Sequence, residues 1–298
     1  MTLRIFPITP EFAAEVGDVD LSQPLSGTVE QAIKAAFWQY GVLIFPDQQL
    51  SAEEHLRFAR VFGPLETSIA VHQPQAKLRL AAEFADVSNL TVRDQLWGED
   101  SRARLFALGN RLWHTDSSFR QIPAYASLLY ARSIAPIGGH TEFADLRAAF
   151  DALPPDQRAA LRGRVLEHSI FTSRAKLGFH DFAQAERDAL PPVQQVLVRT
   201  LPQTGRESLY LASHAGRVIG LPDAEGLALI DALTTHATQR QFVYTHRWRV
   251  GDLVLWDNRC TAHRGTEFDD LRWRRDYQRV SVADVANSCA QAQLTLGP

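Results

Sequence analysis

The sequence predicts a mainly β fold with flanking α-helices, an antiparallel sandwich or jelly roll. Two patterns carry that expectation. Many short apolar runs are separated by turn residues, and few stretches show the 3.6-residue period of a helix buried along one face. A third observation bears on size: 298 residues with 45% hydrophobic content can bury a large core, and no repeat, low-complexity tract or linker composition divides the chain. A single domain over 1–298 is expected.

From the N-terminus, 3–7 and 15–21 read as short strands or loops. Thr28-Val29-Glu30-Gln31 has the form of a capping box, so a helix is expected to begin there. Val29, Ile33, Ala36, Phe37 and Tyr40 recur at helical spacing, and Gly41 supplies the residue that closes such a helix. Val42 to Phe45 is then a buried strand ended by Pro46-Asp47. Ser51-Ala52-Glu53-Glu54 caps a second helix with Leu56, Ala59 and Phe62 on one face, and Gly63-Pro64 stops it. Over 65–110 the pattern weakens to one strand, 86–92, and a polar segment around Trp97-Gly98-Glu99-Asp100 that reads as a long loop, either a binding lid or a disordered excursion. Alternation predicts strands over 125–135 and 140–144, joined through the Gly138-Gly139 turn. Two short helices follow, over 145–153 and 155–161. Further strands are expected over 165–172, 195–200, 208–212, 242–248, 253–256 and 276–283, with a helix over 223–237 that turns Leu227, Ile230 and Leu233 inward.

Composition excludes several classes of function. The formal net charge is -3, with 31 Lys and Arg spread along the chain, which gives no basic field for nucleic acid or an anionic membrane surface. No apolar run reaches transmembrane length, and Arg4, Glu11, Glu15, Asp18 and Asp20 interrupt the first twenty residues, so neither membrane insertion nor secretion is expected and a cytoplasmic location follows. Cys260 and Cys289 lack C-x-x-C spacing. A disulfide framework or thiolate zinc site is therefore not expected, and Cys260 reads as a small buried hydrophobe.

The chemistry concentrates in Leu112-Trp113-His114-Thr115-Asp116-Ser117-Ser118-Phe119. On an extended strand, residues two apart point to one side with Cα atoms roughly 6.5 Å apart, so the His114 imidazole and the Asp116 carboxylate can reach one ion through bonds of about 2 Å. An H-x-D triplet also arises by chance, so a third ligand is decisive. His263, in the run from Trp256-Asp257-Asn258-Arg259 to Arg264-Gly265, is the best-placed candidate. Two imidazoles and one carboxylate form the facial set that holds non-haem Fe(II) and leaves coordination positions open. The remaining histidines have no partner at metal-ligand spacing, although His72 and His214 lie in or beside loops that could border a pocket. Toward the C-terminus, a strand from Arg275 onward puts Arg275, Tyr277, Arg279 and Ser281 on one face. Its two arginines, roughly 13 Å apart at Cα, either decorate a solvated edge or face inward toward two separate anions, since an unpaired buried cation is costly.

In order and spacing these motifs resemble the Fe(II)/2-oxoglutarate-dependent taurine and 2,4-dichlorophenoxyacetate dioxygenase family over essentially the whole length. The family's pattern of W-H-x-D, G-G-x-T, W-D-N-R with a following histidine, and R-R-x-x-x-R occurs here as Trp113-His114-Thr115-Asp116, Gly138-Gly139-His140-Thr141, Trp256-Asp257-Asn258-Arg259 with His263, and Arg274-Arg275-Asp276-Tyr277-Gln278-Arg279. The resemblance implies a double-stranded β-helix core, a cupin-like jelly roll, with a helical scaffold, and an enzyme that uses Fe(II), 2-oxoglutarate and O₂. It implies His114, Asp116 and His263 as iron ligands and Thr141 and Arg275 as the clamp on the distal carboxylate of 2-oxoglutarate. Arg279 is then the partner of the substrate's acidic group, with Asn110 and Ser117 as further substrate-side candidates. Arg274 competes with Arg275 for the clamp, but only Arg275 shares a face with Arg279. Segments such as Asp86-Val87-Ser88-Asn89-Leu90 and Arg147 to Pro154 place the chain nearest the branch that degrades aryloxyacetates. The implied reaction hydroxylates an aryloxyacetate such as 2,4-dichlorophenoxyacetate beside its ether oxygen and yields a phenol, glyoxylate, succinate and CO₂. The expected partners are a small acidic substrate and a second copy of the chain in a homo-oligomer, with no nucleic acid and no membrane. An alkylsulfonate such as taurine is the alternative substrate. A zinc hydrolase and a non-catalytic jelly-roll binding protein are the alternatives of other classes.

Overall fold

The computed structural model describes residues 3–72 and 77–294, the side chain of His72 excepted. Its largest sheet has seven strands in the order Arg4–Pro7, Ala14–Gly17, Val42–Phe45, Leu253–Asp257, Ala124–Ser133, Asp276–Ala283 and Phe84–Asp86. All neighbours are antiparallel except Ala14–Gly17 and Val42–Phe45, which run parallel. A three-stranded antiparallel sheet, in the order Val243–His246, Thr141–Asp145, Thr261–Gly265, lies against it. Spatial order departs from chain order: Leu253–Asp257 sits between Val42–Phe45 and Ala124–Ser133. Residues far apart in the chain therefore share one face.

The period of two along each strand decides what each face does. Leu43, Phe45, Leu128, Leu253, Leu255, Val280 and Val282 pack under the helices Gly27–Tyr40 and Ala52–Arg60. Val42, Ile44, Leu129, Val254, Trp256 and Tyr277 face the other way and meet Phe143 of the smaller sheet. Both faces are covered, which is why these strands read as unbroken apolar runs. Beyond the smaller sheet, the helices Leu146–Asp151 and Asp223–Ala237 close a third cluster with Ala144 and Ala262.

The helix Ala52–Arg60 starts in the expected capping box, with Ser51 Oγ accepting from Glu54 N–H and the Glu54 carboxylate accepting from Ser51 N–H. The first helix starts earlier than expected. Ser26 is its N-cap, accepting from Val29 N–H, and Thr28 already lies inside; Gly41 ends it at φ 71°. In Asp223–Ala237 the buried stripe is Gly226, Ile230, Leu233 and Ala237, so Leu227, one 100° step away, is exposed.

Three predicted segments change type. The strand over 165–172 stops at His168, because Ser169 caps a short helix, Ile170–Ala175, by accepting from Phe171 N–H. The loop around 97–110 contains the helix Arg102–Ala107, capped by Ser101, and the 3₁₀ turn Leu108–Arg111, while the strand expected over 86–92 lies at Phe84–Asp86. Most consequentially, 112–119 is not a strand. A single bridge joins His114 to His263 through reciprocal N–H to O=C bonds of 2.9 and 2.8 Å, after which the chain turns and Ser117 adopts φ 54°.

Candidate active site

That single bridge brings together side chains 149 positions apart (263 minus 114). The donor atoms of His114, Asp116 and His263 all lie within 4.8 Å of one another. His114 Nε2 is 3.8 Å from Asp116 Oδ1, and His263 Nε2 is 3.7 Å from Asp116 Oδ2. Bonds of about 2 Å to one central ion span such separations. All three residues are buried. His114 Nδ1 donates to the Leu112 carbonyl at 2.7 Å, which leaves the Nε2 lone pair free on the side of Asp116. Burial pushes the His114 imidazole below its ordinary pKa and that of His263 well below, which favours the neutral form a metal requires. Burial alone would raise Asp116. The Arg279 guanidinium, foremost among its charged neighbours, reverses that and holds the carboxyl below the usual range.

A polar shell aims the carboxylate. Ser127 Oγ donates to Asp116 Oδ2 at 2.7 Å, and Arg279 donates to Oδ1 at 2.5 Å. Asp116 N–H donates to Asn258 Oδ1, which also accepts from Trp256 Nε1, while Asn258 Nδ2 donates to Ser127 Oγ at 2.9 Å. The tetrapeptide Trp256-Asp257-Asn258-Arg259 is thus the support of this shell. Its Asp257 and Arg259 pair at 2.7 Å, with the guanidinium stacked on Tyr125.

Beside the cluster lies a cavity of about 820 Å³, its open mouth included. His114, His263, Trp256, Leu129 and Arg279 line it, with Thr141, Gly265, Phe268 and Arg275 together on one wall. The segment 86–111 supplies the other wall, including Asn89, Trp97, Leu108, Asn110 and Arg111. Arg275 is stacked on Tyr277 at 4.3 Å and beside Phe268 at 5.3 Å, and no carboxylate pairs with it among the described residues. Its Nε is buried without a partner, and burial draws its pKa down. Arg274, one residue earlier, points away and pairs with Asp94 at 2.6 Å. The Thr141 hydroxyl accepts from Trp248 Nε1 at 3.0 Å.

Asn89 ties the two walls together. Its Nδ2 donates to the carbonyls of Asp270 (2.7 Å) and Trp273 (2.8 Å), its Oδ1 accepts from Arg275 N–H at 2.8 Å, and its own carbonyl accepts from Trp97 N–H. Arg104 and Asp270 add an ion pair of 2.8 Å between the same segments.

Of the residues singled out in the sequence, His114, Asp116, His263, Thr141, Arg275, Arg279 and Asn110 converge here, all but Asp116 lining the cavity. Ser117 does not reach it. The turn at φ 54° sends its hydroxyl to Glu66, which accepts at 2.6 Å. His214 is buried with its ring centroid 6.0 Å from that of His114 and Nδ1 bonded to Ser118, whereas the ring of His72 lies outside the described residues. The sequence reading missed Ser127, Asn89, Arg111 and Trp248. It quoted Asn258 and Asn89 only as parts of longer motifs, which was the one signal available for them.

The family described as Taurine catabolism dioxygenase TauD, TfdA family matches residues 4–280. The chain is similar to the alpha-ketoglutarate-dependent 2,4-dichlorophenoxyacetate dioxygenase of Cupriavidus pinatubonensis (strain JMP 134 / LMG 1197), with 46% identity over 287 residues that cover 96% of this chain and 99% of that protein. It is 34% identical to the (S)-phenoxypropionate/alpha-ketoglutarate-dioxygenase of Sphingobium herbicidovorans, covering 97% and 98%. Among solved structures, AAD-2 in complex with Mn(II) and N-oxalylglycine superposes with a TM-score of 0.88 and 42% identity, covering 97% of this chain and 99% of that one.

Proposed function

Because this chain belongs to the taurine catabolism dioxygenase TauD, TfdA family, we propose that its substrate is an aryloxyacetate of the 2,4-dichlorophenoxyacetate type. It is a 2-oxoglutarate-dependent dioxygenase, as its named relatives are. The observation that carries the reading is the buried, acid-free guanidinium of Arg275 in the same cavity as a cluster of two histidines and an aspartate. The two facing sheets form a double-stranded β-helix, and 1–298 is one jelly-roll domain.

On this reading His114, Asp116 and His263 hold Fe(II). Two neutral imidazoles and one carboxylate suit that ion, and the shell of Ser127, Asn258 and Arg279 fixes the carboxylate's aim. The bound iron supplies O₂ activation and the oxidation that converts 2-oxoglutarate to succinate and CO₂. The chain supplies position, charge and dryness. Arg275 and Thr141 grip the distal carboxylate of 2-oxoglutarate, and a charge-assisted bond in this buried setting is stronger than the same bond in water. Arg279 and Asn110 receive the acidic group of the substrate, which sets its methylene carbon toward the cluster. Leu129 and Trp256 exclude water from the floor. Hydroxylation beside the ether oxygen leaves a hemiacetal that collapses to a phenol and glyoxylate.

The test is a panel of aryloxyacetates, aryloxypropionates, taurine and simple acids, scored for succinate formation with added Fe(II). Phenol release coupled to succinate with 2,4-dichlorophenoxyacetate is expected. Sulfite release from taurine without phenol from any aryloxy acid would replace the substrate, and absence of 2-oxoglutarate turnover across the panel would overturn the assignment.

A further inference from the structure

We propose that Trp248 is a positioning residue for the co-substrate: its indole N–H occupies one acceptor site of the Thr141 hydroxyl and directs that hydroxyl's proton into the cavity, toward a carboxylate. The inference rests on the reading in which Thr141 and Arg275 hold the distal carboxylate of 2-oxoglutarate.

A threonine hydroxyl donates one proton and accepts through two lone pairs, whereas an indole nitrogen can only donate. With Trp248 Nε1 at 3.0 Å, Thr141 Oγ1 is the acceptor in that contact, and its own proton has no acceptor among the described residues. Thr141 is 4% exposed and lines the cavity, so the proton is left for whatever enters. Backbone pairing with His246 on one side and Gly265 on the other fixes where the hydroxyl sits.

The indole is fixed in turn. It stands perpendicular to the His246 ring at 4.6 Å and an interplanar angle of 87°, and His246 is held between Asp252 and Tyr244, each at 3.1 Å. On another side Trp248 packs against Tyr277 at 4.8 Å, the same ring that carries the Arg275 guanidinium at 4.3 Å. One aromatic bracket therefore sets both groups of this wall, and both present donors to the cavity. A carboxylate accepts from the two of them, whereas a primary amide in its place offers one neutral oxygen and brings N–H groups that the Arg275 guanidinium cannot accept. Trp248 does not line the cavity, so it acts through Thr141 and Tyr277.

The experiment is a double-mutant cycle read by calorimetric titration of 2-oxoglutarate into anaerobic Mn(II)-loaded protein. Thr141→Val is expected to weaken binding roughly 10-fold or more, the size of a hydrogen bond to a charged group. Trp248→Phe alone is expected to weaken it about 3- to 10-fold, and to add nothing in the presence of Thr141→Val. Affinity for 2-oxobutyrate, which lacks the distal carboxylate, should be unchanged by Trp248→Phe, as should KM for the aryloxyacetate; general damage to the fold would lower both keto-acid affinities and raise that KM. An effect of Trp248→Phe that is equal with and without Thr141→Val, or equal for 2-oxobutyrate, overturns the inference while leaving the clamp intact. An unchanged affinity in Thr141→Val overturns the clamp and the inference together. Independently of any change at Trp248, its indole N–H in the Zn(II)-loaded protein should exchange slowly with solvent and become fast-exchanging on Thr141→Val; slow exchange in both refutes the bond's role.

Discussion

Replacing Arg275 with Met separates the two purposes a buried arginine can serve. In a structural role its removal exposes a partner; in a binding role it removes a charge that the fold itself does not need. Arg275 has no acidic partner among the described residues, and burial already pulls its pKa down, the sign of a cation held at a cost. Arg275→Met forfeits stacking on Tyr277, worth about 0.5–2 kcal/mol, and relieves a desolvation of similar or larger size. Stability is expected within about 1 kcal/mol of the parent or above it. Arg147 is the internal contrast. It is 1% exposed, pairs with Asp145 at 2.9 Å and donates to the Gln39 carbonyl at 2.9 Å, so Arg147→Met leaves Asp145 buried and unpaired. That should cost about 3–5 kcal/mol, and at roughly 2–4 °C per kcal/mol the melting temperature falls by roughly 6–20 °C. Function should respond in the opposite order. Losing one partner of a buried charge pair costs about 2–5 kcal/mol, so Arg275→Met should raise KM for 2-oxoglutarate by roughly 30-fold to several thousandfold. Thermal unfolding and succinate formation at varied 2-oxoglutarate read both quantities. A variant that melts as early as Arg147→Met with an unaltered KM would refute the reasoning and return Arg275 to a structural role.

Arg279→Ala should raise KM for an aryloxyacetate about tenfold or more while moving KM for 2-oxoglutarate far less, as steady-state titration of each will report. Equal effects on both would mean that Arg279 acts chiefly through Asp116, to which it donates. Acid should destabilise the protein through His55 and His168, both fully buried and both pushed by burial down to about 3. Their unfolded pKa is about 6.5, so the unfolded chain binds the proton first; stability is full above roughly pH 6.5 and falls as pH drops toward 3, by up to about 1.4 kcal/mol per pH unit for each ring. Urea midpoints at pH 7.5 and 5.5 should differ accordingly, and His168→Gln should shrink the difference; midpoints that coincide would exclude this linkage.

The sequence disclosed what depends on local pattern. Alternation along Asp276–Ala283 separated Arg279 from its neighbours, and with Arg275 just before the strand it distinguished the cavity-facing arginine from Arg274. The short helices Arg102–Ala107 and Ile170–Ala175 were invisible because six residues cannot display a 3.6-residue period; only the serine caps betrayed them. His114 and Asp116 converge, but through one bridge and a turn instead of a strand, so the reasoning from strand geometry reached the right pair by the wrong local structure. Contacts such as Asn89 with Arg275, 186 residues apart, and Trp248 with Thr141, 107 apart, have no local signature at all. They exist only once the sheet order has been set.

Asn89 latches the wall formed by 86–111 to the carbonyls of Asp270 and Trp273 and to the main-chain N–H of Arg275. A hinged flap in this place would have to break all three bonds and unseat the arginine with every opening. Reactants and products instead pass through a cavity that this latched segment lines with the side chains of Trp97 and Leu108. The bulk of ring substituents tolerated on an incoming acid is then a matter of bore, and widening the bore at Leu108 or Trp97 is the route to larger aromatic acids.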